Sequence, residues 1–317
     1  MRSEQILPVL LCGLLTIIAA GAWAQEDEEG QGARQEQEAQ DPPRQRPVSL
    51  TGLGEWALAR QYPEQAVWLN LEDDSRALGL FSPELETPVR SAVIVLADEG
   101  QTADQSILGA LRQSLSEVGM AVMTLGLEAP PRVLRDSRLA RDVPMPGEQE
   151  NGESEADDAA RAGQDSVMID VAAAEDLEQL AEEYRKGVRA VLNAAATELN
   201  ERGYQRLLVL GVGWSADYVT EWAASREELL GAVWLAPKFS PQRLNALAEL
   251  LAAERDWWLM DLHGSGAEMA KQGRKRGALL ARAEVGRYQR QPLPLASPPR
   301  RDDAARVVNR ISARVDR

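Results

Sequence analysis

Three side chains in this sequence are of the types from which acyl-transfer chemistry is built: Ser215, Asp261 and His263. A serine nucleophile needs a histidine to take its proton and a carboxylate to orient that histidine. The supply is narrow here, because His263 is the only histidine in 317 residues. It stands two residues after Asp261, in Asp-Leu-His-Gly-Ser-Gly, a stretch whose glycines read as a turn, so His263 is expected as a turn residue rather than a base. Asp261 closes an apolar run, where an ordinary strand-end carboxylate or cap is the alternative to a catalytic acid. Ser215 follows Gly211-Val212-Gly213-Trp214 and precedes a helical run, the place of a helix N-cap.

Other chemistries have less to work with. One cysteine and one histidine exclude a disulfide framework, a Cys-rich zinc site and a multi-His metal centre within one chain, so no metal is expected. Gly211-x-Gly213 after an apolar run has the start of a dinucleotide-binding loop, but Ala216 stands where the third glycine belongs and no phosphate-binding lysine motif is present; no cofactor is expected. Fifty acidic against 35 basic residues give a net charge of -15, and that balance argues against nucleic acid as a partner, since tracking phosphates needs positive charge.

The elements that must position these residues alternate. Two short apolar runs, 66–71 and 77–81, flank Glu72-Asp73-Asp74-Ser75 and predict a hairpin. The run 91–97, SAVIVLA, is rich in β-branched residues and reads as a buried parallel strand. After it, Ile107, Leu108, Leu111, Leu115 and Val118 recur at helical spacing, Gly119 closes the helix, and AVMTL at 121–125 is the next strand. Strand, helix and strand at these lengths imply a right-handed crossover. A long amphipathic helix through Leu177, Tyr184, Val188, Leu192 and Leu199 ends at Gly203. Strands at 206–210, 231–236 and 257–261 then alternate with helices at about 215–224, 241–254 and 267–284. A short strand near Tyr288 leads to a last helix in which Ala304, Val307, Val308, Ile311 and Val315 share a face. Residues 128–171 break the rhythm with Pro130-Pro131, Pro144, Pro146 and an acidic stretch, and read as a surface insertion, lid-like at its start and disordered in its middle.

A hairpin, alternating parallel strands and helices, and an insertion before a strand ending LLVLGVGWSA resemble the α/β-hydrolase fold. The chain is particularly similar to the DUF3530 family of secreted bacterial proteins. The resemblance implies an α/β fold with a mostly parallel central sheet and helices on both faces, over about residue 49 to the end. In active α/β-hydrolases the nucleophile is the middle residue of G-x-S-x-G, on a sharp turn from strand to helix. Laid on Gly211-Val212-Gly213-Trp214-Ser215, that pattern puts Gly213 in the nucleophile slot, and a glycine has nothing to attack with. Shifting the frame by two puts Ser215 in the slot, but requires the strand to run through Gly211 and places Asp217 where the helix must pack closely. The resemblance further implies an acid near Asp261 and a base in the loop after the last strand. That loop, PLPLASPPRRDD, has no histidine, and His263 comes about 30 residues too early for the pattern.

The N-terminus reads as a processing signal. Arg2, an apolar run over 6–20 and Ala22-Trp23-Ala24 make residues 1–24 a signal peptide with Gln25 as the mature start and the periplasm as the destination in a Gram-negative cell. Cys12 lies inside the removed piece. Residues 25–47 carry no large aliphatic side chain and are expected to be a disordered acidic linker, leaving 48–317 as the domain. Trp214 and Trp222 flank the turn and are expected either in the core or along a ligand pocket. From Lys271 to Arg317 there are 13 basic and 4 acidic residues, and Lys271, Arg274, Lys275 and Arg276 cluster within two turns, a candidate contact with an anionic membrane surface.

Two classes of function remain. The first, towards which the missing nucleophile and base lean, is a non-catalytic protein of the cell envelope that binds a small molecule or an envelope partner. The second is an ester hydrolase using Ser215 in the shifted frame, with Asp261 as the acid and His263 or an unusual base.

Overall fold

In the computed structural model the chain is described over residues 52–142, 162–253 and 256–316. The expected signal peptide, the acidic linker and the acidic middle of the insertion lie outside the described residues.

Eight strands form one sheet in the order β1-β2-β4-β3-β5-β6-β7-β8. Strands β1 (Ala66–Asn70) and β2 (Arg76–Ser82) make the expected hairpin, with Asn70 opposite Arg76. Strand β2 also runs antiparallel to β4 (Met120–Leu125). Every other pairing is parallel: β4 with β3 (Ser91–Leu96), β3 with β5 (Leu207–Val212), then β6 (Gly231–Leu235), β7 (Trp258–Gly264) and β8 (Tyr288–Leu293) in turn. All residues of β3, β4, β5, β6 and β7 are buried, as strands covered on both faces must be.

Crossover direction assigns the helices to faces. Helix α2 (Leu108–Glu117) connects β3 to β4 in one direction along the sheet, whereas α4 (Ala162–Glu201), α5 (Ser215–Ala224), α6 (Pro241–Leu251) and α7 (Ala267–Arg282) lie on connections running the other way. Right-handed crossovers therefore place α2 on one face and the other four on the opposite face. The last helix, α8 (Ala304–Val315), packs on α2 and buries the residues that its periodicity selected: Ala304, Val307, Val308, Ile311 and Val315. A short helix α1 (Glu55–Gln61) precedes the hairpin. No helix among the described residues is long and apolar enough to cross a membrane.

Four differences from the sequence reading bear on the site. The start of the insertion carries a helix, α3 (Arg132–Asp142), and α4 begins at Ala162, about ten residues early. Pro130 and Pro131 immediately precede α3, where a missing N–H costs nothing, so the prolines open a helix rather than mark a loop. Strand β5 runs through Gly211 to Val212, and β7 runs to Gly264, so His263 is a strand residue and not a turn residue. Its alternation with Asp261 puts both polar side chains on one face of β7. The sequence does not display what partners them there.

Candidate functional site

The C-terminal ends of parallel strands β3, β5, β6 and β7 meet at one edge of the sheet, where ligands of open α/β sheets bind. At that edge β5 turns sharply into α5. Gly213 is the turn residue, at φ +61°, a left-handed conformation that L side chains rarely adopt. Its amide donates to Leu235 O at 2.9 Å and its carbonyl accepts the Lys238 amide at 2.9 Å. Two residues earlier, a Cβ on Gly211 would lie 2.7 Å from Ser215 O and from Val219 Cγ2, so the first glycine is what lets α5 lie close on the strand.

The space that a side chain at Gly213 would enter is filled. A Cβ there would overlap the carboxylate of Asp98, which comes from the loop after β3. Asp98 Oδ1 accepts the N–H of Trp214 at 2.8 Å and of Glu99 at 3.0 Å, and Oδ2 accepts Lys238 Nζ at 2.9 Å. These two amides, one just after the turn residue and one after β3, are the donors that a hydrolase of this topology aims at a developing oxyanion. Here a carboxylate of the same chain accepts both. Asp98 was not singled out from the sequence. An Asp two residues past a buried strand has no signature of its own; the signal was the missing side chain at Gly213, which leaves room for another.

Ser215 is the first residue of α5 and is fully buried. The expected N-cap role is not what the structure holds: Trp214 occupies the cap position and no side-chain cap bond forms. Instead Ser215 Oγ accepts the Val212 N–H at 2.7 Å and lies 2.9 Å from Val212 O and 3.0 Å from Leu96 O. The hydroxyl thus ties the elbow to β5 and β3. Its hydrogen-bond partners are all backbone groups. Asp217, the misfit of the shifted frame, is buried and held by Arg243 from α6 at 2.8 Å.

The second centre lies on β7. Asp261 is fully buried and meets Arg276 of α7 in a two-pronged pair, Nε to Oδ2 and Nη2 to Oδ1 both at 3.0 Å, while Tyr288 on β8 donates its hydroxyl to Oδ2 at 2.9 Å. Asp261 is therefore neither a strand-end carboxylate nor a cap. Burial by itself would raise its carboxyl pKa, but the nearby His263 and the positive charge of Arg276 outweigh it and hold the group below the usual carboxylate range. The same burial, with the Asp261 charge, pushes the Tyr288 hydroxyl up. His263 Nδ1 lies 3.4 Å from Asp261 Oδ1 without making a hydrogen bond, and Gly273 on α7 gives the imidazole its room. Arg276 is 6% exposed and committed to Asp261, so it leaves the basic cluster; Lys271, Arg274 and Lys275 are the exposed members.

A cavity of about 150 Å³ lies between the two centres, lined by Asp98, Gly213 and Lys238 on one side and by His263, Arg276 and the first turns of α7 on the other. Two of its lining residues, Ser106 at φ +59° and Ala236 at φ +48°, hold left-handed conformations without being glycine. Such strain collects at functional sites. Of the tryptophans considered for a pocket, Trp222 is in the core with its Nε1 on Asn193, and Trp214 carries Arg138 of α3 over its ring at 5.2 Å. Arg138 also binds Glu99 at 2.7 Å and the Tyr218 hydroxyl at 2.9 Å, which fastens the start of the insertion to the elbow. Among the described residues no group of His, Cys, Asp and Glu is arranged to hold a metal ion.

An eight-stranded, mostly parallel sheet in this order, an antiparallel hairpin at one edge, helices on both faces and a strand-to-helix elbow at the centre define an α/β-hydrolase fold. The chain belongs to the family described as "Protein of unknown function (DUF3530)", whose model matches residues 5–312. No curated protein matches the sequence. Similar solved structures include the esterase domain of a Rhodothermus marinus protein, at 12% identity and TM-score 0.49 over 78% of this chain and 96% of that one. TT1662 from Thermus thermophilus is 15% identical, TM-score 0.47, over 80% of this chain and 98% of that one. Est1E from Butyrivibrio proteoclasticus is 8% identical, TM-score 0.48, over 78% and 96%.

Proposed function

We propose that this is a non-catalytic α/β-hydrolase-fold protein of the cell envelope, which binds a small ligand in the cavity beside its elbow or docks an envelope partner there. One observation carries the reading: the Asp98 carboxylate takes the volume of a nucleophile side chain and the two amides of an oxyanion hole. A serine hydrolase needs both free, because the hydroxyl must reach a carbonyl carbon while the amides receive the oxygen. Ser215, the other hydroxyl at the turn, is bonded to backbone on its buried side and has no imidazole on it. The envelope location rests on the apolar run and Ala22-Trp23-Ala24 at the N-terminus, with a mature chain starting at Gln25. Lys271, Arg274 and Lys275 supply a weak contact with anionic lipid.

The test is incubation of the purified protein with a fluorophosphonate probe and a panel of short acyl esters, with Ser215→Ala as control. The expected result is neither labelling nor turnover above buffer. Stoichiometric labelling of the wild type, lost in Ser215→Ala, would overturn the reading and make the protein an esterase-type serine hydrolase.

A further inference from the structure

The geometry points to a small primary ammonium compound with an apolar body as the ligand of the cavity. This deepens the binding role proposed above and rests on it. The volume sets the size: apolar cavities of about 150 Å³ in other proteins admit a benzene-sized molecule, and the walls here include Val212, Ala236, Met269 and Pro299. Charge sets the chemistry. Two cations face the cavity and each is committed, Lys238 to Asp98 at 2.9 Å and Arg276 to Asp261 at 3.0 Å. The acceptors have no cation of their own. Glu268, in the first turn of α7, accepts the Gln272 amide at 2.8 Å and among the described residues has no ion-pair partner. Gln101 Oε1 is buried in the same wall with no hydrogen-bond partner among the described residues. A buried acceptor without a donor costs free energy until a donor arrives. An ammonium group brings three donors and the positive charge that Glu268 lacks. A carboxylate ligand would find its natural amides already holding Asp98 and would face Glu268 as a like charge.

The experiment titrates three probes of one shape, benzylamine, benzyl alcohol and benzoate, into the purified protein by calorimetry, and repeats the series with Glu268→Gln and Asp98→Asn. Glu268 is exposed, so its variant keeps the fold. Benzylamine is expected to saturate about ten-fold more tightly than benzyl alcohol, with benzoate weakest. Glu268→Gln should remove that preference and leave benzyl alcohol unchanged; Asp98→Asn, which frees the Lys238 charge, should weaken benzylamine as well. Failure of benzylamine to saturate, equal affinities for amine and alcohol, tightest binding by benzoate, or an amine preference that survives Glu268→Gln would each overturn the assignment. None of these outcomes touches the non-catalytic reading, which stands or falls on fluorophosphonate labelling.

Discussion

The elbow on β5 and the carboxylate cluster on β7 sit about the same cavity, and each holds a carboxylate where an ester hydrolase of this fold would hold working parts. They hold it differently. At the elbow, Asp98 is gripped by two backbone amides and by Lys238, whose side chain is 49% exposed. On β7, Asp261 is sealed from solvent and matched by a guanidinium and a phenol, both side chains. A carboxylate bonded to backbone depends on the fold being in place, while one bonded to buried side chains is itself part of what keeps the fold in place. The β7 cluster should therefore respond to mutation as core, and the elbow as a surface-linked site.

The largest effect is expected at Arg276. Replacing it by Met leaves the Asp261 charge buried without its partner, and breaking a buried pair in this way costs about 3–5 kcal/mol. Urea unfolding should show this as a large fall in midpoint at unchanged slope. A loss under about 1 kcal/mol would erase the contrast between the two centres. The same pair predicts a pH dependence. Because the Asp261 carboxyl is held below its unfolded value of about 3.9, its contribution is complete above that pH and is lost as pH falls through the lowered folded value. Stability of the wild type should decline in acid below about pH 4, and Asp261→Asn, weaker at neutral pH, should decline less over that range.

Next in size is Gly213→Ser, the change that would write a nucleophile into the elbow. The new side chain meets a positive φ and the Asp98 carboxylate together. A cost of about 2 kcal/mol is expected from the backbone strain and the displacement of Asp98, with no labelling by a fluorophosphonate. Gly213→Ser combined with Asp98→Ala removes the collision and should recover part of that loss. If the single variant is as stable as the wild type, Asp98 is free to leave and the elbow is not filled in the sense argued above.

Much of this fold was legible in the sequence, because buried parallel strands and amphipathic helices write their periods directly: the hairpin, α2, the apolar face of α8 and the succession of elements along the chain all follow from spacing. The site was legible at Gly211 and Gly213 for the same reason, since a turn that tight needs glycine. What spacing does not carry is pairing across the sheet. His263 looked like a turn residue because polar residues beside glycine usually are, and Asp261 looked like a strand end because its partners, Arg276, 15 residues on, and Tyr288, lie on other elements. Asp98 was missed because, apart from the amide of the next residue, its partners Trp214 and Lys238 lie beyond the ends of other strands, 116 and 140 residues away. The polar helix α3 was missed because its apolar positions are few.

A smaller effect separates structure from chemistry within the elbow. Ser215→Ala removes the hydroxyl that accepts the Val212 N–H and leaves that buried donor unpaired, which should cost about 1–2 kcal/mol. Ligand binding in the cavity should be unchanged, since Ser215 does not line it. A variant as stable as the wild type would mean that the hydroxyl is not holding the turn.

The smallest effect should fall on Lys238→Met, and it sharpens the comparison most. Lys238 makes an ion pair with Asp98 at 2.9 Å, a length no different in kind from the Arg276 pair, so distance alone would predict similar losses. Exposure decides otherwise. A half-exposed lysine keeps much of its hydration, is screened by salt and gives up side-chain entropy to hold one position, so the pair is worth about 0–1 kcal/mol. Asp98 would also keep its two amide donors when the lysine is gone. Thermal unfolding at low and moderate salt should show a shift for Lys238→Met several-fold smaller than for Arg276→Met, and one that shrinks as salt rises. A salt-independent loss as large as that of Arg276→Met would place Asp98 in the core energetically and make the two centres alike.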